Sequence, residues 1–405
     1  MFSGAAKGPR TLARKSDADM TSATNVNDRR DADARALDEQ ILRYIASDTP
    51  SDAEFKRLAL ECFAYQYERC EPYRRFCDRQ GRTPKDAVTW LDVPAVQTAS
   101  FATARLACFP RERTAIEFHS SGTTSSGERS STLELDSPAL YEASLVAHFR
   151  RRILPEASKM RIIALMPSRA DAPNSSLSYM VQHLIDTVGA PRSGFFIEDG
   201  RLAFDSLFEA LVRREPALIF GTAFAFVHLL DRCRAVGHRF RLPSGSRVIE
   251  TGGFKGRSRE VPRSELYAAF VDFLGVPRQM CASEYGMCEL GSQWYDASIE
   301  DMLAHRASLG SSHPNALSDR LDLKVGPHWA KSIVVDPVTA QPVERGTEGL
   351  IHIFDLSNRG SVCALLTGDL GVEREGGFVL LGRSPGAPPK GCSIDADDLL
   401  TRGRG

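Results

Sequence analysis

Three short apolar runs, each followed at once by a turn residue, most constrain the fold of this 405-residue chain. They are RIIALMP at 161–167, PALIFGT at 216–222 and SRVIETGG at 246–253, and stretches with helical periodicity separate them. Parallel strands are continuously apolar because helices cover both faces of the sheet. The chain is therefore predicted to have an α/β fold in which helices cover parallel sheets.

A different pattern follows toward the carboxyl terminus. The segment KSIVVDPVTAQPVERGTEGLIHIFDL, residues 331–356, alternates apolar and polar residues with turn residues between them. This period of two is typical of antiparallel strands, so we expect a β-rich carboxyl region. Helix starts are predicted earlier in the chain, with Ser51 as one N-cap and Ser137 as another, Pro138 being the first helical residue of the second helix.

The amino-terminal segment differs from the rest of the chain in composition. Residues 1–35 are rich in Arg, Asp, Ser and Ala and contain almost no large apolar side chains. They cannot bury enough surface to offset the entropy of ordering, so we predict that they are disordered, with Met20 preferred as the true first residue. The expected organisation is a main domain over 36–383 and a short tail over 384–405.

Charge and cysteine usage exclude several protein classes. The formal net charge of −1 offers no global basic field for nucleic acid or anionic lipid. No apolar run approaches the length of a membrane span. The nine cysteines form no C-x-x-C pair and follow no secretory signal. These features predict no nucleic-acid partner, no membrane span and a reducing, cytoplasmic location.

A loop of small residues indicates an anion site. FHSSGTTSSGERSST, residues 118–132, holds Gly122 and Gly127 among nine hydroxyl side chains. Glycine lets backbone N–H groups approach phosphate oxygens closely, and hydroxyl groups add donors. The lysine of the ordinary ATPase loop is absent, since Glu128 and Arg129 follow Gly127. Such a loop by itself is more often a flexible surface loop than a triphosphate site.

Three further stretches favour a nucleotide site. They are IETGGFKGR (249–257), SEYGMCELGSQWYDA (283–297) and LLTGDLG (365–371). The glycine pair can pass close beside a flat ligand, the ring of Tyr285 can stack on a purine, and the carboxylate of Glu289 can hold Mg²⁺ on a triphosphate. Asp369 can accept hydrogen bonds from ribose hydroxyls. Each residue alone is more simply a turn former or a core aromatic, but the ordered set favours a site.

The order of the motifs SSGTT-x-x-G, GG, YG-x-x-E, TGD and GR resembles that of the adenylate-forming enzymes, the superfamily of acyl-CoA ligases and related synthetases. The resemblance extends from about residue 90 to the end of the chain. Within that superfamily ETGGFKGR, EYGMCELGSQWYD and PKGCSIDADDLL are most similar to the acyl-protein synthetase of the bacterial luminescence fatty acid reductase. The resemblance implies an adenylate-forming large domain, ATP and Mg²⁺ as cofactors, and a fatty acid or other carboxylic acid as substrate.

The resemblance also implies roles for individual residues. It places the outer phosphates at Ser120, Ser121, Gly122, Thr123 and Thr124, the adenine at Gly252, Gly253 and Tyr285, the ribose at Asp369, and Mg²⁺ at Glu289, with Gly286 as a further nucleotide-binding residue. Arg383 matches the arginine at the hinge into the superfamily's mobile small domain. One departure is Cys288, which replaces the usual Thr before the glutamate. This thiol is expected either to weaken a hydrogen bond to phosphate or to be tolerated.

The segment after the hinge distinguishes the subfamilies. Full-length acyl-CoA ligases carry a small domain with a catalytic lysine there, whereas this chain has only residues 384–405, and Lys390 is not in that motif. Luminescence-type synthetases instead accept the acyl group on a cysteine near the carboxyl terminus, which Cys392 matches. The ammonium of Lys390 favours the nucleophilic thiolate.

The predicted activity is therefore ATP-dependent acyl-adenylate formation, with Glu289 and Cys392 as catalytic residues. The acyl group then passes to a partner such as an acyl reductase or a carrier protein. Two alternatives remain open: an acyl- or aryl-CoA ligase of the phenylacetate type, and a non-catalytic partner that binds acyl groups or nucleotide. Five aromatic residues are interpreted as core rather than as lining of an acyl pocket, namely Tyr179, Phe195, Phe196, Phe224 and Phe226.

Overall fold

The computed structural model describes residues 32–120, 130–252, 261–307 and 320–385. Its α-helices are α1 (Ala32–Ile45), α2 (Asp52–Arg69), α3 (Glu71–Arg79), α4 (Ala139–Ile153), α5 (Ser176–Val188), α6 (Phe204–Leu211), α7 (Ala223–Val236), α8 (Arg263–Ala269) and α9 (Ser298–Ala307). A π-helical turn, Phe270–Leu274, continues α8, and short 3₁₀ helices cover Trp90–Asp92, Thr98–Ala102, Arg111–Arg113, Arg278–Met280 and Leu356–Asn358.

The strands are β1 (Val96–Gln97), β2 (Ile116–His119), β3 (Thr132–Leu135), β4 (Arg161–Leu165), β5 (Gly194–Phe195), β6 (Ile197–Glu198), β7 (Arg201–Leu202), β8 (Ala217–Thr222), β9 (Arg247–Thr251), β10 (Cys281–Tyr285), β11 (Trp294–Asp296), β12 (Leu323–Val325), β13 (Ala330–Val335), β14 (Glu348–Asp355), β15 (Ala364–Arg374) and β16 (Gly377–Arg383). Two separate hairpins pair β2 with β3 and β6 with β7.

One twelve-stranded sheet changes from parallel to antiparallel across its width. Its order is β13-β14-β15-β16-β12-β11-β10-β9-β8-β4-β5, and β1 pairs with β15. Pairing is parallel from β5 to β10, and it becomes antiparallel between β10 and β11. The three predicted parallel strands are β4, β8 and β9, which are neighbours and buried along their whole length. The α/β fold and the antiparallel carboxyl region are confirmed.

Two predicted helix starts have different outcomes. Ser51 caps α2, because its hydroxyl accepts a hydrogen bond from the Glu54 amide at 3.2 Å. Helix α4 begins at Ala139, one residue later than predicted, and Pro138 takes the N-cap position. Ser137 still contributes, since its hydroxyl accepts from the Ala139 amide at 3.3 Å. The prediction for α4 was therefore wrong by one residue.

Helix α1 begins at Ala32, inside the segment predicted to be disordered. Ala34 and Leu37 face the core, at 1% and 6% exposure, so burial of this apolar face stabilises the extra turn. Residues 1–31 and the tail from residue 386 lie outside the described residues. Among the helices that the structure describes, none has both the length and the apolar character required to cross a bilayer.

The turn between β14 and β15, residues 356–363, connects the amino-terminal helices to the sheet. Arg359 is 1% exposed and donates to both carboxylate oxygens of Asp38 on α1, at 2.6 and 2.9 Å. Its guanidinium also lies 3.0 Å from a carboxylate oxygen of Asp136, which follows β3. Burial alone lowers the pKa of Arg359, but Asp136 and Asp38 reverse that effect and hold it above its ordinary value. The cation therefore stays charged between two carboxylates.

Gln66 of α2 fastens the same turn from another side. Its amide nitrogen donates to the carbonyls of Asn358 and Arg359, at 3.1 and 3.2 Å. Its amide oxygen accepts a hydrogen bond from the Cys363 backbone N–H at 3.1 Å. These bonds satisfy backbone groups that the turn would otherwise bury without partners. The 356–363 turn is thus bound to α1, α2 and the segment after β3.

We predict that Arg359→Met lowers the free energy of unfolding by about 3–5 kcal/mol, because it leaves two carboxylates buried without their cation. Denaturant unfolding measures the change. Arg57→Met is the control, since Arg57 pairs with Glu61 at the surface with 45% and 43% of the side chains exposed, and such pairs contribute about 0–1 kcal/mol. Equal losses in the two variants would contradict the importance assigned to Arg359.

Candidate active site

Several predicted site residues converge where the sheet changes from parallel to antiparallel. Strand β9 ends at Thr251 and β10 ends at Tyr285, and Glu284 lies in register with Thr251, whose hydroxyl donates to the Glu284 carboxylate. Ligands of α/β proteins bind beyond the carboxyl ends of parallel strands. Gly252 follows β9 with a φ of 75°, a left-handed conformation that disfavours other residues. Gly286 follows β10 in the same region.

Asp369 on β15 connects two other predicted site residues. Its carboxylate accepts a hydrogen bond from the Tyr285 hydroxyl at 2.9 Å and one from Nη1 of Arg383 at 3.3 Å. Asp369 and Tyr285 are each 2% exposed. Burial, reinforced by the Asp369 charge, raises the pKa of Tyr285 well above its ordinary value, so the phenol remains a donor at neutral pH. The structure brings Tyr285, Asp369 and Arg383 into one hydrogen-bonded set.

The ring of Tyr285 packs edge-on against two other aromatic rings. Its centroid lies 5.4 Å from that of Phe378 and 6.3 Å from that of Trp294, with interplanar angles of 82° and 81°. Since the side chain is almost completely buried, stacking of this ring on a base stays a prediction. The contact with Asp369 was not predicted, and it orients the carboxylate that is expected to meet the ribose.

Glu289 lies on the buried loop between β10 and β11, residues 286–293 (the Glu289 loop), and is 8% exposed. Its backbone carbonyl accepts a hydrogen bond from Nδ2 of Asn358 at 2.8 Å, and the Gly291 amide donates to Oδ1 of Asn358 at 2.7 Å. A Cβ atom at position 291 would lie 2.9 Å from that oxygen, so glycine permits the close approach. Cys288, the departure from the family pattern, is fully buried beside Glu289.

A buried polar network holds the next residue of this loop. The Ser292 hydroxyl donates to Oδ1 of Asp355 at 2.8 Å and lies 2.7 Å from the Ser357 hydroxyl and 2.9 Å from the Ser144 hydroxyl of α4. The indole N–H of Trp329 donates to Ser144 at 2.9 Å. Burial raises the pKa of Asp355, and hydrogen bonds from Ser357 and Ser292 oppose that shift. The loop is therefore held at Glu289 itself and at two of the three residues that follow it.

A second buried cluster supports β10. Nζ of Lys324 lies 2.6 Å from Oδ1 of Asp296, and both side chains are 0% exposed. The Ser283 amide donates to Oδ2 of Asp296 at 2.7 Å, Lys324 donates to the Ser283 carbonyl at 3.0 Å, and Arg263 of α8 donates to Asp296. Burial lowers the pKa of Lys324 below its ordinary value, and the Asp296 carboxylate offsets only part of that shift. These bonds fix the strand that carries Tyr285 between β9 and β11.

The two ends of the predicted phosphate-binding loop, residues 118–132, are hydrogen-bonded to each other. The Ser120 amide donates to the Ser131 carbonyl at 2.9 Å, and the Ser131 amide donates to the Ser120 hydroxyl at 2.8 Å. The His119 amide donates to the Asn174 carbonyl at 2.9 Å, which places the loop base beside the start of α5. The remaining predicted site residues lie outside the described residues, namely Ser121, Gly122, Thr123, Thr124, Gly253 and Cys392.

The aromatic residues weighed as lining of an acyl pocket pack against the core. Tyr179, Phe224 and Phe226 are at most 4% exposed, and Phe195 and Phe196 are partly buried against the core. This placement agrees with the interpretation of these residues as core. The Tyr179 hydroxyl also donates to the Glu142 carboxylate at 2.5 Å.

Asn358 and Asp355 were not predicted from the sequence. Both stand in the segment DLSNRGS, whose only signal is that of a turn. Their partners in the Glu289 loop lie 69 and 63 positions away along the chain. No local pattern indicates contacts at such separations.

Comparison with solved structures defines the fold. The chain superposes on an open conformation of 2-hydroxyisobutyryl-CoA ligase with 2-HIB-AMP and CoA with a TM-score of 0.54 and 16% identity, covering 82% of this chain and 75% of that one. The same ligase in its postadenylation state with 2-HIB-AMP gives a TM-score of 0.52 and 17% identity, covering 85% and 72%. The fold is that of an adenylate-forming enzyme.

A family model described as acyl-protein synthetase, LuxE, matches residues 20–401. The chain is 23% identical over 329 residues to the long-chain-fatty-acid–luciferin-component ligase of Vibrio harveyi, with 79% of each covered. It is 22% identical over 330 residues to that of Aliivibrio fischeri, again with 79% of each covered. This chain belongs to the acyl-protein synthetase LuxE family and is an AMP-forming ligase. Family and fold together support activation of an acyl group by ATP.

We predict that Tyr285→Phe lowers the free energy of unfolding by about 1.5–3 kcal/mol, because the buried Asp369 carboxylate loses a hydrogen-bond donor. Tyr67→Phe provides the control, since the Tyr67 hydroxyl donates to Asp78 at the surface, at 2.6 Å. Denaturant unfolding of both variants measures the difference. A loss at Tyr285 no larger than that at Tyr67 would show that the bond to Asp369 is not important.

Proposed function

We propose that the protein activates a fatty acid, or another carboxylic acid, as an acyl-adenylate and then captures the acyl group on Cys392 as a thioester. The thioester serves as donor to a partner such as an acyl reductase or a carrier protein. Family membership supports acyl activation, and the two bacterial relatives are named for long-chain fatty acids. The observation that carries the proposal is the hydrogen-bonded set in which Tyr285, at the carboxyl end of β10, and Arg383 both bind the buried carboxylate of Asp369.

The nucleotide is assigned to the same edge of the sheet. Its outer phosphates are assigned to Ser120, Ser121, Gly122, Thr123 and Thr124, and its base to Gly252, Gly253 and Tyr285, with Gly286 as a further nucleotide-binding residue. The ribose is assigned to Asp369, whose carboxylate is oriented by Tyr285 and Arg383. The loop needs no lysine in this arrangement, because its N–H and hydroxyl donors hold the outer phosphates while reaction occurs at the α-phosphate.

Mg²⁺ fits the donors that the site offers. The ion is commonly held by one or two carboxylates together with phosphate oxygens and water. Glu289 supplies one buried carboxylate, and across the described ranges no group of three or more His, Cys, Asp or Glu side chains is arranged to hold an ion. The remaining ligands are therefore assigned to the triphosphate and to water. When bound, the ion offsets negative charge on the phosphates.

Two displacements make up the proposed reaction. First, a carboxylate oxygen of the acid forms a bond to the α-phosphorus, and the bond to the β-phosphate oxygen breaks, so that pyrophosphate leaves with the electron pair. Second, the thiolate of Cys392 forms a bond to the acyl carbon, and AMP leaves as the carbon–oxygen bond breaks. The chain contributes mainly positioning and charge stabilisation to the first step.

Burial of the other described cysteines supports the choice of Cys392, and this includes Cys70, whose pKa a hydrogen bond with Cys108 lowers but whose side chain is fully buried. The eight cysteines in the part of the chain that the structure describes are buried and unbridged. Burial raises the pKa of Cys77 and of Cys281 to about 12 and that of Cys233 to about 11. Such thiols are poor nucleophiles at neutral pH. Unbridged thiols also support a reducing cytoplasm as the location.

We expect wild-type protein incubated with Mg²⁺, ATP and a labelled long-chain fatty acid to carry hydroxylamine-labile label. Cys392→Ser is expected to lose this label, because its hydroxyl is a far weaker nucleophile, while pyrophosphate release continues. Cys233→Ser is the control and retains the label, since Cys233 is a buried thiol of α7.

Other outcomes would contradict the proposal in different ways. Pyrophosphate release without label on the wild type would overturn the acyl-enzyme step and indicate a diffusible acceptor such as CoA. Nucleotide binding without pyrophosphate release would indicate a non-catalytic partner.

We predict that Glu289→Gln slows pyrophosphate release on the order of a hundredfold, because loss of the carboxylate weakens charge compensation on the triphosphate. The rate should recover in part at raised Mg²⁺ concentration. Glu265→Gln, the same change at an exposed position of α8, is expected to behave as wild type. A Glu289→Gln variant with wild-type rate and Mg²⁺ dependence would remove the metal assignment.

A further inference from the structure

We propose that Asn358 is a positioning residue that sets the place of the Glu289 carboxylate and thereby the contribution of Mg²⁺ to ATP binding. This inference rests on the proposed function, in which Glu289 holds the metal. Asn358 belongs to the 356–363 turn and is 2% exposed. It contacts the Glu289 loop through the backbone, so it acts on the carboxylate through the loop.

The amide of Asn358 uses all of its polar atoms. Nδ2 donates to the carbonyl of Glu289 at 2.8 Å and to that of Val362 at 3.1 Å, and Oδ1 accepts from the Gly291 amide at 2.7 Å. Two donors therefore face two carbonyls and one acceptor faces an N–H group. A flipped amide would place its oxygen against both carbonyls and its nitrogen against the N–H, so the orientation is determined by the partners.

Few other side chains satisfy these three partners. Aspartate has the same shape but lacks both N–H donors, and its charge would face the carbonyls of Glu289 and Val362. Serine cannot reach both the carbonyl of Glu289 and the amide of Gly291 with one oxygen. The absence of a Cβ atom at Gly291 completes the fit, since such an atom would also lie 2.9 Å from Cβ of Ser357.

The loop has one internal hydrogen bond and one further attachment after Glu289. The Leu290 amide donates to the Met287 carbonyl at 3.1 Å, which closes a turn around the glutamate. The Ser292 hydroxyl donates to Asp355 at 2.8 Å, directly before the 356–363 turn. Displacement of the Glu289 backbone would therefore break the bond that its carbonyl accepts from Nδ2 of Asn358.

The consequence is a metal ligand whose position is set before substrate binds. Side chains that orient a ligand in this way typically change metal affinity or activity by about 10–100-fold when they are replaced. A merely structural role would lower stability without changing how strongly Mg²⁺ assists ATP binding. The two roles are therefore separable by experiment.

The test measures the dissociation constant of α,β-methylene ATP by calorimetry, in the presence of Mg²⁺ and in the presence of EDTA. The ratio used below is the dissociation constant in EDTA divided by that in Mg²⁺. It reports how strongly the metal assists nucleotide binding, without any turnover. We expect Asn358→Asp to reduce this ratio by about tenfold, and Asn358→Ser, which adds no charge, to reduce it in the same direction. Amide hydrogen exchange of residues 287–293 in the free protein should become faster in both variants.

Gln66→Met is the matched control. Gln66 is also buried and binds the same turn through the carbonyls of Asn358 and Arg359 and the N–H of Cys363, and none of these hydrogen bonds goes to the Glu289 loop. It is expected to lower the melting temperature while leaving the ratio unchanged. An equal loss of the ratio in Gln66→Met would reduce Asn358 to a structural residue.

Glu289→Gln separates this inference from the proposed function. If Glu289→Gln leaves the ratio of dissociation constants unchanged, the metal assignment fails and the inference fails with it. If Glu289→Gln reduces the ratio and both Asn358 variants keep it, the proposed function stands and the role of Asn358 alone is overturned. Wild-type exchange rates over 287–293 in the folded Asn358 variants would also overturn it.

Discussion

The contact of Arg359 with Asp38 and Asp136 is the interaction on which the rest of the structure depends. The two carboxylates lie 321 and 223 positions away along the chain, and all three side chains are buried. A buried charge is tolerated only when its partners and hydrogen bonds are in place. Helix α1, the segment after β3 and the 356–363 turn are therefore stable only together.

The same turn also builds the candidate active site. Arg359 faces the amino-terminal helices, whereas its neighbour Asn358 binds the Glu289 loop, and Asp355 at the end of β14 binds Ser292. Residues 355–359 therefore supply both the contacts that hold the loop and the contact that holds helix α1 to the sheet. A site supported in this way keeps its geometry because its supports are rigid and buried.

The sequence predicts a large part of this architecture and of the site. Apolar runs identify β4, β8 and β9, and the motif order identifies the adenylate-forming class and the family. The motifs also place Tyr285, Asp369 and Arg383 in one site, and the structure joins them by hydrogen bonds. The bond from the Tyr285 hydroxyl was not predicted, because the motif assigns only a stacking role to the ring.

The sequence by itself determined the class of fold, the family and the residues that are candidates for chemistry, because apolar periodicity, turn composition and short motifs are local properties of a chain. Only the tertiary structure decided which polar groups support those candidates. Asn358 in a turn and Asp296 on a strand look like ordinary polar residues in the sequence. Their partners are chosen by the packing of distant segments, and burial of a polar group requires those partners to be present.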